Sequence, residues 1–268
     1  MSTPPDLLAT IVAATRRAIG HRETETPLSA LEAQIRRRPR GQHFAAALRS
    51  SEPPRVIAEC KRRSPSRGIL RSAYEPASHA VAYARAGAAA ISVLTEPTFF
   101  DGSLDHLADV SAAVDVPLLR KDFIVSRYQL LEAAAAGADA VLLIVGALDD
   151  GALRELIVAA TDLGLATLVE VHDRTELGRA VQAGASIVGV NSRNLRTLTL
   201  HPEVLEELAS HIPRGVMAVA ESGIRTRADL DRFGGLGYQA FLVGERLITQ
   251  DDPGAALREL RGAGAVAR

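Results

Sequence analysis

Glu59 and Lys61 stand two residues apart at the end of an otherwise apolar run, Val56-Ile57-Ala58-Glu59-Cys60-Lys61. Residues two apart on an extended strand share a face, so Ile57, Glu59 and Lys61 point together and Cys60 points away. A carboxylate and an ammonium on a face that should be dry imply that the pair serves a site. The pattern recurs. Apolar runs end in Lys121-Asp122, in Glu170, in Asn191-Ser192 and in Glu221-Ser222. Lys121 shares a face with Leu119, Glu170 with Leu168 and Glu221 with Val219. Any one of these alone would read as a strand-end salt bridge. Six such groups (Glu59, Lys61, Lys121, Glu170, Asn191 and Glu221) at equivalent ends of five strands point to a shared acid–base site.

The elements that must position them form a regular series. Eight apolar runs cover 56–60, 88–94, 116–122, 139–145, 166–171, 186–192, 216–222 and 239–244. Continuous apolar runs predict strands covered on both faces, as in a parallel sheet. Helical spacing of apolar residues predicts helices over 76–86, 129–136, 150–163, 174–183, 202–211 and 227–233. Gly87, Gly137, Gly164 and Gly184 read as C-cap signals before the next strand. Eight such units predict an α/β fold, a single (β/α)8 TIM barrel over residues 56–268, with its chemistry at the C-terminal ends of the strands. A doubly wound sheet is the structural rival, but Gly234-Gly235-Leu236-Gly237 precedes a strand and does not follow one. Residues 1–55 read as two or three helices broken at Pro27 and Pro39, an N-terminal helical extension packed on the barrel.

Two loops add a phosphate signal. Ser222-Gly223-Ile224 follows the seventh run and Gly244-Glu245-Arg246 the eighth, where backbone N–H groups and a helix N-terminus commonly hold an anion in such barrels. Other classes are excluded. A net charge of −1 offers no field for nucleic acid or an anionic membrane. Arg36-Arg37-Arg38-Pro39-Arg40 reads as a solvated helix end, not a nucleic-acid arm. The seven histidines show no ligand-like spacing, so no metal is expected, and His172 ranks behind Glu170 as a catalyst. The single cysteine, Cys60, excludes an internal disulfide and reads as a small core residue. No run reaches the roughly 20 apolar residues of a membrane helix, and the N-terminus lacks signal-peptide features, so a cytoplasmic protein is expected.

These stretches resemble the indole-3-glycerol phosphate synthase family of ribulose-phosphate-binding barrels. IAECKRRSPSRG is similar to the family's first-strand motif and LLRKDFIV to its third. LVEVHD, VGVNSRNL, VAESGI and FLVGE match the fifth to eighth. Departures are Cys60, Arg62-Arg63, and Glu245 in place of a small hydroxyl residue that some relatives use toward phosphate. The resemblance implies ring closure of 1-(o-carboxyphenylamino)-1-deoxyribulose 5-phosphate with loss of CO2 and water and no cofactor. It implies Lys121 as the acid of ring closure and Glu170 as the base of dehydration. Lys61, held by Glu59, would bind the substrate carboxylate and act as a dehydration acid. Asn191 and Glu221 would orient hydroxyls and lysines. It further implies phosphate on Ser64, Gly223, Gly244 and the Glu245 N–H, with Ser222 nearby and Arg193 at the rim. Phe123 would wall the aromatic pocket, and residues 62–68 would close as a lid. The partner expected is a small phosphorylated molecule, acted on by a monomer or weak homo-oligomer.

Two rivals stand beside it. A sugar-phosphate isomerase on the same barrel would need a cysteine or carboxylate acid–base pair, and Cys60 points away from the site. A catalytically silent barrel that binds a phosphosugar is separated only by turnover.

Overall fold

A computed structural model describes residues 6–262; the remainder of the predicted extension (1–5) and of the predicted barrel (263–268) lies outside them. Eight parallel strands close into a barrel. They are β1 (Arg55–Cys60), β2 (Ala90–Leu94), β3 (Leu118–Lys121), β4 (Ala140–Ile144), β5 (Ala166–Val171), β6 (Ile187–Asn191), β7 (Met217–Glu221) and β8 (Ala240–Val243). Each pairs with its sequence neighbour, and β8 returns to β1 through Arg55–Ala240 and Ala58–Val243. Every apolar run of the sequence holds one barrel strand.

Alternation along the strands sorts the core into two layers. Ile57, Leu119, Leu142, Leu168, Val219 and Leu242 pack inside the barrel. Val56, Ala58, Cys60, Val93, Val141 and Val169 pack outward against the helices. Cys60 therefore faces the helical layer, and burial next to Glu59 pushes its thiol far above its ordinary pKa. It is no nucleophile.

All six predicted helices form, within a few residues of the expected ends. Two more, Leu104–Ala113 and Pro253–Arg261, complete the outer layer. The first escapes the periodicity reading because only Leu107 and Val110 of its residues are buried.

Three helices precede β1: Leu7–Glu25, Leu28–Gln34 and Gly41–Ser50. Phe44 and Leu48 of the third are fully buried and join the interior layer, with Gly41 N donating to Gly164 O beside the start of β5. That helix closes the N-terminal end of the barrel. The first helix starts at the opposite end, where Leu7 N lies against Arg196 O.

One expectation is incomplete. The basic run at 36–40 follows a helix end and leaves Arg36, Arg38 and Arg40 exposed, but it also carries a structural contact. Arg37 Nη1 donates to Asp139 Oδ1 at 2.7 Å and Arg37 Nη2 to Gly137 O at 2.8 Å, while Arg40 N donates to Asp139 Oδ1 at 2.9 Å. Asp139 is fully buried at the start of β4, so its charge demands partners, and the arginines supply them. The run fastens the preceding helices to the barrel.

Candidate active site

A cavity of about 420 Å³ opens at the C-terminal ends of the strands. All thirteen residues singled out in the sequence line it: Glu59, Lys61, Ser64, Lys121, Phe123, Glu170, Asn191, Arg193, Glu221, Ser222, Gly223, Gly244 and Glu245. Lys61 and Lys121 thus share one mouth.

Each polar group sits where its strand runs out. Lys121 ends β3, and its Nζ donates to Glu170 Oε2 of β5 at 2.9 Å and lies 3.5 Å from Glu221 Oε2 of β7. Asn191 ends β6, and its Nδ2 donates to Glu170 Oε1 at 3.1 Å while its Oδ1 accepts from Arg193 N at 2.9 Å. The amide is fixed from both sides. Lys61 Nζ donates to Glu59 Oε1 across the end of β1. Burial works against the Lys121 charge, but Glu170, Glu221 and Glu59 more than offset it and hold the ammonium protonated. Burial likewise opposes the Glu170 charge, and Lys121 and His172 overcome it, keeping that carboxylate ionised. Glu221 differs. Burial dominates there and Glu170 repels it, so despite Lys121 its carboxyl is pushed up to about 8. Its Oε1 has no hydrogen-bond partner.

Two glycines make this crowding possible, and the sequence reading missed the reason for both. A Cβ on Gly189, in the middle of β6, would collide with Glu221 Oε1, and one on Gly244 would collide with Glu59 Oε1. Glycine inside a strand marks such a close approach, a signal available in Val188-Gly189-Val190. Gly244 therefore makes room for a carboxylate as well as opening a loop.

The rim is built by loops. Ser222 and Gly223 both adopt left-handed backbone, φ 66° and 75°, directly after β7. For Ser222 that conformation carries strain, a feature that clusters at functional sites. Residues 63–64 and 68–69 form a two-stranded ribbon over the mouth, tied down by Arg67 Nη2 to Glu245 Oε1 at 3.0 Å and by Arg62 to Asp101. Phe123 faces Phe100 with ring centroids 6.1 Å apart. With Leu142 and Ile144 from the barrel interior they give the cavity an apolar wall.

Among the described residues, no cluster of three or more His, Cys, Asp or Glu is arranged to hold a metal ion. None of their helices is long and apolar enough to cross a membrane.

Comparison with known proteins gives the same picture. Thiamine phosphate pyrophosphorylase from Pyrococcus furiosus superposes with a TM-score of 0.58 over 78% of this chain and 94% of its own, at 18% identity. A 3-hexulose-6-phosphate synthase superposes with a TM-score of 0.61 over 78% of this chain and 99% of its own, at 17% identity. At such identities the likeness establishes the barrel and nothing more. Sequence relatives go further. The indole-3-glycerol phosphate synthase of Parafrankia sp. is 51% identical over 259 residues, 96% of each chain. That of Nocardioides sp. is 52% identical over 260 residues, 96% of this chain and 98% of its own. The family pattern of indole-3-glycerol phosphate synthase itself runs through residues 8–260, and so takes in every strand end just described. The chain belongs to the indole-3-glycerol phosphate synthase family.

Proposed function

We propose that the mouth closes the indole ring of 1-(o-carboxyphenylamino)-1-deoxyribulose 5-phosphate, with Lys121 as the acid of ring closure and Glu170 as the base of dehydration. The ring carbon bearing the carboxylate attacks the ketone carbon, and Lys121 protonates the oxygen as its charge develops. The bond to the carboxyl carbon then breaks, CO2 leaves, and its electron pair restores the aromatic ring. The new hydroxyl departs as water with a proton from Lys61, while Glu170 takes the proton from the neighbouring carbon. Two protons enter and one is removed, which balances loss of a carboxylate as CO2.

The observation that carries this reading is the position of Lys121. Its Nζ lies between Glu170 and Glu221 at the base of a cavity with an aromatic wall on one side and glycine loops on the other. Phe123 and Phe100 suit the anthranilate ring. Ser64, Ser222, Gly223, Gly244 and the N–H of Glu245 suit the phosphate, with Arg193 at the rim. Glu221, with its raised pKa, suits a substrate hydroxyl that must both give and take a hydrogen bond. Glu59 holds Lys61, and Asn191 holds Glu170. The ribbon at residues 62–68 serves as the lid. Residues 1–55 act as an extension packed on a catalytic barrel of residues 56–268. The protein works as a cytoplasmic monomer or weak homo-oligomer, in keeping with the scatter of its exposed large apolar side chains Leu28, Ile69, Val158 and Leu236 over separate elements.

The test is to incubate the chain with the anthranilate-deoxyribulose phosphate and follow indole fluorescence together with CO2. Equimolar release of both is expected. Tight binding without turnover would contradict the reading and favour a silent phosphosugar-binding barrel.

A further inference from the structure

His172 stands immediately after β5, outside the cavity, with its side chain largely buried behind Glu170. Its Nε2 lies 3.3 Å from Glu170 Oε1. Its Nδ1 lies 3.0 Å from Glu176 Oε2, and its backbone N donates to the same oxygen at 2.9 Å. Glu176 is itself fixed. It occupies the first turn of helix Arg174–Gln182, where its N–H donates to the N-cap carboxylate of Asp173 at 2.8 Å.

A neutral imidazole offers one N–H and one lone pair. Here each ring nitrogen meets a carboxylate oxygen, so a neutral ring would aim its lone pair at an anion in a buried space. Only the doubly protonated ring suits both ends. Nε2 has no other partner and sits off the line of an ideal hydrogen bond, so the contact is chiefly ionic. The charged groups around the ring are few. Glu170 comes from β5 and Glu176 from the following helix, while Lys121 of β3 engages the far oxygen of Glu170. β6 contributes the neutral Asn191. Arg179 is drawn away to Asp150 Oδ1 at 2.6 Å and Leu148 O at 2.6 Å. Burial disfavours charge on the ring, but Glu170 and Glu176 outweigh it and push its pKa up to about 10.

We propose that His172 is a positioning residue for the dehydration step: an imidazolium, clamped by Glu176, that with Asn191 ties back Glu170 Oε1 and leaves Oε2 as the working oxygen beside Lys121. The role rests on Glu170 being the dehydration base. It also divides the attraction of Glu170 between two cations, which loosens its hold on the Lys121 proton.

The charge is tested without substrate, by NMR of protein labelled with 15N in its histidine rings. At pH 8 both nitrogens of the His172 ring should carry protons, at a pH where a histidine of ordinary pKa, about 6.5, is neutral. The Glu176→Gln variant should bring its titration down toward that range. In kinetics, His172→Gln should lower kcat about tenfold or more, the scale of a misplaced reacting group, with KM nearly unchanged and with indole formation lagging behind CO2 release. Glu176→Gln should show the same split above the new pKa of the ring and near-normal kcat below it. That rescue by acid is one a merely structural defect would not show. A neutral His172 ring at pH 8 overturns the clamp. Wild-type kcat and unchanged CO2-to-indole timing in His172→Gln overturn the positioning role. A wild-type protein that binds the substrate and makes no indole removes the role of Glu170, and this one with it, while leaving the NMR signature in place.

Discussion

Two clusters of buried charge meet at the end of β3, and adjacent residues of one strand feed them. Lys121 turns into the barrel. Arg120 turns outward into the helical layer, 1% exposed, and there all of its N–H directions are used. Its Nε donates to Thr95 Oγ1 at 3.0 Å, its Nη1 to Gln129 O at 2.7 Å, and its Nη2 to Asp122 Oδ2 at 2.8 Å, while Glu132 Oε2 accepts from both Nη atoms at 3.2 Å. Arg22 of the first helix adds a second cation to Glu132 at 2.6 Å. Two arginines face two carboxylates, and Asp122 Oδ1 also accepts from Phe123 N at 2.8 Å. Inside, three carboxylates (Glu59, Glu170, Glu221) face two ammonium groups (Lys61, Lys121), and Glu221 keeps an oxygen without a partner. The outer cluster is balanced and satisfied. The inner one is balanced only while Glu221 keeps its proton, leaves a carboxyl oxygen unsatisfied, and opens on a cavity. Satisfied buried charge holds a structure in place; unsatisfied buried charge stores the capacity to bind and react.

Substitutions on the two faces should therefore behave oppositely. The largest effect belongs to Lys121→Met, which should lower kcat by about 10²–10⁴-fold, the usual weight of a general acid, with substrate binding retained in a fluorescence titration. Next comes Arg120→Met. It strands Asp122 and Glu132 in the interior, a loss of about 3–5 kcal/mol. At about 2–4 °C per kcal/mol for a chain of this size, the melting temperature in calorimetry should fall by roughly 10 °C. An Arg120→Met protein as stable as wild type would dissolve the distinction between the faces.

Glu221→Gln sharpens the comparison with a smaller effect of opposite sign. The carboxyl pKa is raised from its ordinary value to about 8 by burial and by Glu170. Folding therefore favours the protonated form, so its contribution is fully present below about pH 4.3 and is lost as pH rises through 8. Removing the charge should raise the melting temperature relative to wild type, little at pH 5 and by several degrees at pH 9. A difference that is flat with pH would show that Glu221 is ionised throughout.

How far the sequence foretold this depends on which face a residue serves. The inner set was legible because polar residues interrupt apolar strands at equivalent places, and alternation tells which side they face. Glu59, Lys121, Glu170, Asn191 and Glu221 follow from that rule alone. Gly223 and Gly244 were legible as lining of the mouth from their position after β7 and β8. Arg120 and Asp122 were not, because flanking charges on a strand end read as solvent-facing until the helix carrying Glu132 is laid across them. Gly189 was passed over as one more small residue in a run, since only the Glu221 side chain from the next strand shows what a Cβ there would displace. The contact that Arg37 and Arg40 make was missed for a similar reason. Their partner, Asp139, lies about a hundred residues away, and local pattern carries no trace of it.

In the proposed mechanism one mouth divides the chemistry between Lys121 during carbon–carbon bond formation and Glu170 after it. Single-turnover measurement of CO2 release beside indole fluorescence tests it most directly, in Lys121→Met and in Glu170→Gln. In Lys121→Met both signals should fall together, because the ring never closes. In Glu170→Gln, CO2 should appear well ahead of fluorescence, leaving a decarboxylated, still hydrated intermediate. Near-normal turnover in Glu170→Gln, or CO2 and indole slowed in step by both variants, would contradict the division of roles.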